Sequence, residues 1–348
     1  MVTMGWKQNK QSFVSVNLFI TTLTVIGLLS WWTPDWAEAE AAVIKARYSG
    51  WAPPPSFVGQ VEKRFFDLLH QKVGDRLQVE LFQGGTLYKY QEVQMPLRTG
   101  AVEIISLTSF TLFEWAPEFK PTILTGAWDV DTLKRYTSSP DFDPAWKKLE
   151  KVSNAIPFGF HPVGNLHLLS SKPLKSTADF KGFRLESGNF EMIEIAKALG
   201  GSGGTLPVYE IYTALQQRMY DGAIGTAATS LGFGWSEFLR HFGKQPWCVN
   251  INWFLVNKKW WESLPKDIQK AFEETSKEIT EWSIKAFPDS EAKYLKALEE
   301  KWKIEYFTLN DWDNVMKTAK EKVWPDIRKQ VGPGFFDAAV KYSLLNKK

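Results

Sequence analysis

The sequence predicts an α/β protein of two lobes that is completed by C-terminal helices. Three observations lead to this fold class. Strand-like and helical segments alternate from residue 43 onward, which is the pattern of parallel sheets with helices on their faces. A second alternating series begins near "AIPFGFHPVG". The region from "LPKDIQKAF" onward has helical spacing instead.

The first lobe begins with "AVIKARYSGW", which predicts a strand. The next segment, "SFVGQVEKRFFDLLHQKVGD", predicts an amphipathic helix with Phe57, Val61, Phe65, Leu68 and Leu69 on one face. "RLQVELF" alternates as a second strand, "YQEVQMPLRTGAV" predicts a shorter helix ending at Gly100, and "AVEIISLTS" predicts a third strand. This β-α-β-α-β order favours a parallel sheet.

The second lobe contains a short strand at Phe183–Leu185, bounded by glycine-containing turns. "EMIEIAKALGG" and "EIYTALQQRMYDGAI" supply its helices, and "PWCVNINWF" predicts a buried strand. In the last region the apolar residues recur at helical spacing. Pro288 either kinks that helix or starts the next one.

Composition limits the function classes. The chain has 348 residues, 44% of them apolar and 23% charged, which is typical of a globular protein large enough for two domains. Its net charge of +3 is spread along the chain, so nucleic acid is not an expected partner. A single cysteine, Cys248, excludes an internal disulfide, a cysteine zinc cluster and a CxxC redox motif.

The N-terminus has the pattern of a bacterial secretory signal. Lys7 and Lys10 precede an uncharged, largely apolar stretch that ends at Trp32, and Ala37-Glu38-Ala39 has the small-x-small form of a cleavage site. We expect residues 1–39 to be removed and the mature protein to be periplasmic. The alternative is an uncleaved membrane anchor, because the stretch is near the length that spans a bilayer.

Catalytic motifs are missing from the sequence. The four histidines (His70, His161, His167 and His241) have no HExxH or other metal-binding spacing, and no GxSxG, P-loop or GxGxxG is present. We therefore expect no enzyme activity, no cofactor and no metal site.

Four blocks, in order, resemble the substrate-binding proteins of tripartite ATP-independent periplasmic (TRAP) transporters, the DctP-like family. They are "VELFQGGTLYKYQEVQMPLRTGAVEI", "SSKPLKSTADFKGFRLESGN", "LPVYEIYTALQQRMYDG" and "VNKKWWESLPKDIQKAF". The second is similar to the family pattern skrPi-x-s-x-x-DlkGlkiR-x-x-x-n, with Asp179, Gly182 and Arg184 in place. The likeness spans nearly the whole mature chain.

The resemblance implies a two-lobed periplasmic binding protein, type II-like, with a cleft between the lobes and a long helix bridging them. The expected domains are lobe I (43–163), lobe II (164–248), a return to lobe I with the bridging helix (249–287), and C-terminal helices on lobe II (288–348). The implied function is capture of a small organic acid by a monomeric receptor, followed by delivery to TRAP membrane subunits. Two alternatives stay open: a secreted α/β enzyme acting on a small carboxylate, and the binding component of an ATP-driven importer.

Arg184 is the main candidate for ligand binding. The resemblance implies that the arginine of this strand faces the cleft, and a guanidinium matches a carboxylate in a planar, bidentate way. The alternative is an ion pair with a nearby acid such as Glu186. The weaker candidates, each equally suited to packing, are Trp51, Ser109, Trp128, Tyr209 and Thr226.

The expected ligand is a monocarboxylate. Many family members carry a second arginine where this chain has Leu166, and alternation along a strand turns the adjacent His167 to the opposite face. The cleft should then hold one fixed cation, unless Lys172 reaches in. Binding is expected to close the lobes about chain crossings near Pro162–Gly164 and Cys248–Asn250.

Overall fold

A computed structural model describes residues 43–346, and the order of its strands and helices follows the predicted order. The predicted signal peptide, residues 1–39, lies outside the described residues. The strands are β1 (Ile44–Ser49), β2 (Leu77–Phe82), β3 (Ile104–Thr108), β4 (Ala155–Ser170), β5 (Arg184–Glu186), β6 (Ser202–Gly204), β7 (Gly222–Gly225), β8 (His241–Gly243), β9 (Cys248–Asn257) and β10 (Glu305–Phe307).

The α-helices cover the sheet and form the C-terminal region. They are α1 (Phe57–Val73), α2 (Gln94–Thr99), α3 (Ser109–Trp115), α4 (Val130–Thr137), α5 (Asp143–Ser153), α6 (Phe190–Ala198), α7 (Val208–Gln216), α8 (Ala227–Gly232), α9 (Lys258–Ser263), α10 (Lys266–Trp302), α11 (Trp312–Thr318), α12 (Trp324–Val331) and α13 (Pro333–Tyr342). Within residues 43–346, no helix is both long enough and apolar enough to span a bilayer.

One mixed sheet connects the two lobes. Its strand order is β2-β1-β3-β9-β4-β7-β5-β6, with β8 paired to β4 and β10 paired to β8. In the first lobe β1 lies parallel to β2 and β3, and in the second lobe β5 lies parallel to β6 and β7. The predicted α/β class with two lobes is confirmed, and the parallel pairing follows the predicted β-α-β order.

Two long antiparallel strands belong to both lobes. β4 and β9 pair from Ala155–Asn257 to Leu166–Cys248, and β4 then continues into the pairing with β7. The register shifts between Pro162 and Gly164, which coincides with the crossing expected from the sequence. Every residue of β9 is buried, including Cys248, as expected for a strand with neighbours on both sides.

Helix α10 bridges the lobes and runs through Pro288 without ending there. Near its start, the ring of Phe272 packs 6.0 Å from that of Phe65 on α1. Near its end, Leu298 joins the second-lobe apolar cluster that contains Trp235. The boundary expected between residues 287 and 288 therefore falls inside a continuous helix.

The C-terminal helices contact more than the second lobe. On α12, Trp324 Nε1 donates a hydrogen bond to Glu191 on α6, 2.5 Å away. On α13, the rings of Phe335 near the start and Tyr342 at the end pack against Tyr136 of α4. Because α4 lies in the segment assigned to lobe I, these helices tie together parts of both predicted lobes.

Candidate functional site

A cavity of about 140 Å³ lies where the carboxyl ends of the strands meet. Thr108 at the end of β3, Glu186 at the end of β5 and Gly225 at the end of β7 all line it. Ligands of open α/β sheets bind outside the carboxyl ends of the strands, because the chain there leaves the sheet and opens a crevice. The complete lining is Trp51, Tyr90, Thr108, Phe110, Thr111, Glu114, Leu166, Glu186, Gly188, Thr205, Leu206, Val208, Ile211, Ile224, Gly225, Thr226, Thr229, Trp235 and Asn250.

Trp51 lines the cavity, and a buried hydrogen-bond chain holds its indole. Its Nε1 donates to Asn252 Oδ1 at 3.1 Å, and Asn252 Nδ2 donates to His161 Nε2 at 3.2 Å. His161 is fully buried, and burial lowers its pKa to about 4. The imidazole is therefore neutral at pH 7 and can accept from Asn252.

Thr226 also lines the cavity, at the start of α8. Its hydroxyl accepts a hydrogen bond from the backbone N–H of Thr229 at 3.0 Å, which caps the helix. Gly164 on β4 lies so close that an added Cβ would be 2.6 Å from Thr226 Cβ. Only glycine permits this approach at the crossing between the lobes.

Four buried polar atoms in the cavity wall have no hydrogen-bond partner. Among residues 43–346 there are eight such side-chain atoms, and four belong to cavity residues: Thr111 Oγ1, Glu186 Oε2, Trp235 Nε1 and Asn250 Oδ1. A buried polar group without a partner costs about 1–3 kcal/mol, so proteins rarely collect several in one place. Their occurrence on residues that line one cavity favours a site that hydrogen-bonds a polar molecule.

Arg184 does not line the cavity, and this corrects its expected placement. Its Nη2 donates to Asp221 Oδ1 at 2.8 Å, and both its Nε and its backbone N–H donate to Asp221 Oδ2. The side chain is 45% exposed. Arg184 begins β5, so it lies at the amino end of the strand, opposite the end that reaches the cavity. The alternative of an ion pair describes this geometry, with Asp221 rather than Glu186 as the partner.

The motif match explains the difference. In the pattern DlkGlkiR the arginine stands four residues after the glycine, and four residues after Gly182 this chain has Glu186. Arg184 stands two residues earlier, so the apparent match was displaced by two positions. Side chains on a strand alternate between its two faces, so residues two positions apart lie on the same face. Arg184 and Glu186 therefore share a face of β5 but lie at its opposite ends.

The other expected contacts lie outside the cavity. Ser109 is buried at the start of α3, where its hydroxyl accepts from Trp253 Nε1 at 3.1 Å. Trp128 is buried, donates to Pro121 O and stacks on Tyr136. Tyr209 is 43% exposed, although its neighbour Val208 lines the cavity.

Among residues 43–346, no lysine, arginine or histidine lines the cavity. Leu166 lines it. His167 is turned away, with its Nδ1 2.8 Å from Gly243 O. The single fixed cation expected from the sequence is therefore not part of the described cavity. Within residues 43–346 no cluster of three or more His, Cys, Asp or Glu side chains could hold a metal ion.

Sequence reasoning missed the cavity residues that carry unpartnered polar atoms. In the sequence, Glu186 stands out only as a possible ion-pair partner for Arg184, although it is the last residue of β5. Asn250 lies in "CVNINWF", where two amides, Asn250 and Asn252, within an apolar buried strand are the available signal. Trp235 and Thr111 carried no pattern that separates them from packing residues.

A two-lobed α/β protein with a cavity at the strand ends between its lobes has the architecture of an extracytoplasmic solute-binding protein. The sequence model of one family matches residues 48–330. This chain belongs to that family, the bacterial extracellular solute-binding proteins of family 7, or DctP.

Relatives with assigned ligands are distant in sequence. The C4-dicarboxylate-binding periplasmic protein DctP of Rhodobacter capsulatus is 23% identical over 308 residues, covering 82% of this chain and 88% of the relative. The sialic acid-binding periplasmic protein SiaP of Vibrio cholerae is 23% identical over 258 residues, covering 70% and 75%.

Solved structures of similar fold include two TRAP periplasmic solute-binding proteins. One from Desulfovibrio desulfuricans, with bound sn-glycerol-3-phosphate, has a TM-score of 0.77 at 20% identity and covers 86% of this chain and 97% of its own. One from Shewanella oneidensis, with bound succinate, has a TM-score of 0.76 at 18% identity and covers 86% and 99%. These likenesses establish the shared two-lobed fold.

Proposed function

We propose that this protein is the solute receptor of a TRAP transporter and that it encloses a small organic molecule in the cavity between its lobes. The observation that carries the proposal is that four buried polar atoms without a hydrogen-bond partner among the described residues belong to residues that line that cavity. A bound polar molecule would satisfy them and recover their desolvation cost. The receptor would then deliver the molecule to membrane subunits from the periplasm, where the named relatives are found.

The proposed ligand class is small organic acids. The support comes from the relatives, whose names and bound molecules include C4-dicarboxylates, sialic acid and succinate. The narrower expectation of a monocarboxylate stays a prediction. Its physical argument depended on Arg184 as a fixed cation, and Arg184 lies outside the cavity, so only competition between matched mono- and dicarboxylates can decide it.

Closure of the lobes is the proposed mechanism of capture. The cavity wall combines first-lobe residues such as Trp51 and Thr108 with second-lobe residues such as Glu186 and Thr226, so neither lobe forms the site alone. Ligand contacts to both walls would favour the closed form over the open one. Small-angle scattering should then give a smaller radius of gyration with saturating ligand, and an unchanged radius would refute closure.

A thermal-shift screen tests the receptor proposal. The panel contains succinate, pyroglutamate, galacturonate and glycerol 3-phosphate, together with neutral and amine-bearing compounds of similar size. We expect saturable stabilisation by at least one compound, without its conversion to product. Turnover of the stabilising compound would favour the secreted-enzyme alternative, and no stabilisation by any compound would refute the proposal.

The proposed partners are TRAP membrane subunits, with the receptor acting as a monomer. An ATP-driven importer would require an ATPase subunit, which TRAP systems lack. Reconstitution with the two membrane subunits in vesicles separates these cases, because ATP-independent uptake is expected of the first and ATP-dependent uptake of the second.

A further inference from the structure

Glu186 is the most buried acidic group in the cavity wall. It is 1% exposed, and its Oε2 has no hydrogen-bond partner among the described residues. Its Oε1 accepts only a long hydrogen bond, 3.4 Å, from the backbone N–H of Leu206. Burial raises the pKa of Glu186 to about 8. The carboxyl group therefore has one oxygen without a hydrogen-bond partner and no counter-charge among the described residues that line the cavity.

The charges around this carboxyl are unfavourable for an anion. Glu186 and Glu114 line the cavity, and no lysine, arginine or histidine in the described part of the chain does. Arg184 is held by Asp221 at the other end of β5. An anionic group placed beside Glu186 would be desolvated without a counter-charge among the described lining residues, and it would repel the carboxyl wherever that group is ionised, which is costly.

The same wall suits a cation. Tyr90, Trp51 and Trp235 line the cavity, and aromatic faces attract ammonium and guanidinium groups. Asn250 Oδ1 is a second acceptor without a partner among the described residues. A protonated nitrogen has several N–H donors, so it can satisfy more than one acceptor.

We propose that the ligand carries a protonated nitrogen, an ammonium or a guanidinium, which pairs with Glu186 inside the cavity. This inference rests on the proposed receptor function and narrows its ligand class. An organic acid that meets this requirement is zwitterionic: its nitrogen pairs with Glu186, and its carboxylate uses neutral donors such as Trp235 Nε1 and the Thr111 hydroxyl. Binding ionises Glu186, and the released proton goes to the solvent.

The pairing gives binding a defined pH dependence. The titratable groups around Glu186 are Glu114 and the phenols of Tyr90 and Tyr220. Burial raises the pKa of Tyr90 to about 12 and also raises the pKa of Tyr220 and of Glu114. Because a cation binds the ionised carboxyl, affinity should rise roughly 20-fold between about pH 6.5 and about pH 8.5 and level off above the free-state pKa.

The test uses four compounds with the same five-carbon chain: valerate, glutarate, 5-aminopentanoate and pentane-1,5-diamine. Melting temperature is measured with each at millimolar concentration, and calorimetry across pH follows for the compounds that bind. We expect stabilisation by at least one amine-bearing compound, little or none by valerate and glutarate, and affinity that rises with pH.

Three variants locate the effect. Glu186→Gln, which is isosteric and neutral, should weaken binding of the amine at least tenfold and abolish the pH dependence. Glu114→Gln should leave the pH dependence in place. Glu194→Gln, an exposed carboxyl paired with Lys197 on α6, is the control and should bind as the wild type.

The outcomes separate the two proposals. If valerate or glutarate stabilises the protein and neither amine does, the ligand inference is overturned while the receptor function stands. Affinity that falls as pH rises would also overturn it, because it would mean that a neutral Glu186 donates to a ligand acceptor. The ligand inference is also overturned if Glu186→Gln binds the amine with the same affinity as the wild type. If none of the four compounds binds, the ligand inference fails, and the wider acid panel decides the receptor function separately.

Discussion

Glu62 should make the stability of the ligand-free protein fall as pH rises. This residue of α1 is fully buried, and its carboxyl accepts hydrogen bonds from Ser106 Oγ at 2.6 Å and Gln83 Nε2 at 3.0 Å. Burial raises its pKa from 4.5 to about 7 despite these donors. The perturbation we consider is Glu62→Gln, which keeps the shape of the side chain and removes its titration.

The expected magnitude follows from the two pKa values. Below about pH 4.5 the carboxyl of Glu62 is protonated in both states, and above about pH 7 it is ionised in both. Between these values the unfolded chain loses the proton first, so the folded state becomes less stable as pH rises. The pKa difference of about 2.5 corresponds to about 3 kcal/mol, since one pKa unit is about 1.4 kcal/mol.

The assay is urea unfolding of the wild type and of Glu62→Gln at about pH 4.5 and about pH 7.5. Relative to the variant, the wild type should lose about 3 kcal/mol over this interval. The wild type must be compared with the variant because other groups also titrate. Burial lowers the pKa of His161 and His167 to about 4, so these two residues make the folded state more stable as pH rises. Any cost of the amide that does not depend on pH cancels in the comparison. A difference that stays constant with pH would refute the reasoning.

Three further substitutions test the site geometry. Arg184→Ala should lower the melting temperature but leave affinity for the stabilising ligand unchanged in calorimetry; a large loss of affinity would instead show that Arg184 contributes to ligand binding. Asn252→Ala removes the partner of the Trp51 indole and should cost about 1–3 kcal/mol in urea unfolding, with weaker ligand binding; wild-type values for both would contradict the positioning role. Gly164→Ala should destabilise the fold by about 1–3 kcal/mol because its Cβ meets a neighbouring side chain. Gly334→Ala is the matched control, since nothing lies within 4 Å of its added Cβ.

The order of the elements could be predicted because it depends on local patterns. Alternation in "RLQVELF" and helical spacing in α1 are properties of neighbouring residues, and both elements lie where the patterns indicated. The continuity of α10 through Pro288 could not be predicted in this way. It depends on packing against both lobes, which outweighs the local preference of proline to end a helix.

The cavity was harder to predict because it is formed by distant segments. Trp51 and Thr226 line it, whereas Arg184 does not. Apolar neighbours identified the strand that contains Arg184, but they do not show where that strand ends. In a parallel strand the last residue reaches the crevice and the first does not. Glu186, at the end of β5, therefore lines the cavity, whereas Arg184, two residues earlier, does not.

The shared strands β4 and β9 also determine how this molecule unfolds. β9 pairs with β3 and β4, β4 continues into pairing with β7 and β8, and α10 packs on both lobes as well. Neither lobe can therefore lose its structure without breaking strands on which the other depends. We therefore expect the two lobes to unfold as one cooperative unit. A ligand held between them should consequently protect the whole described chain against unfolding, including residues far from the cavity.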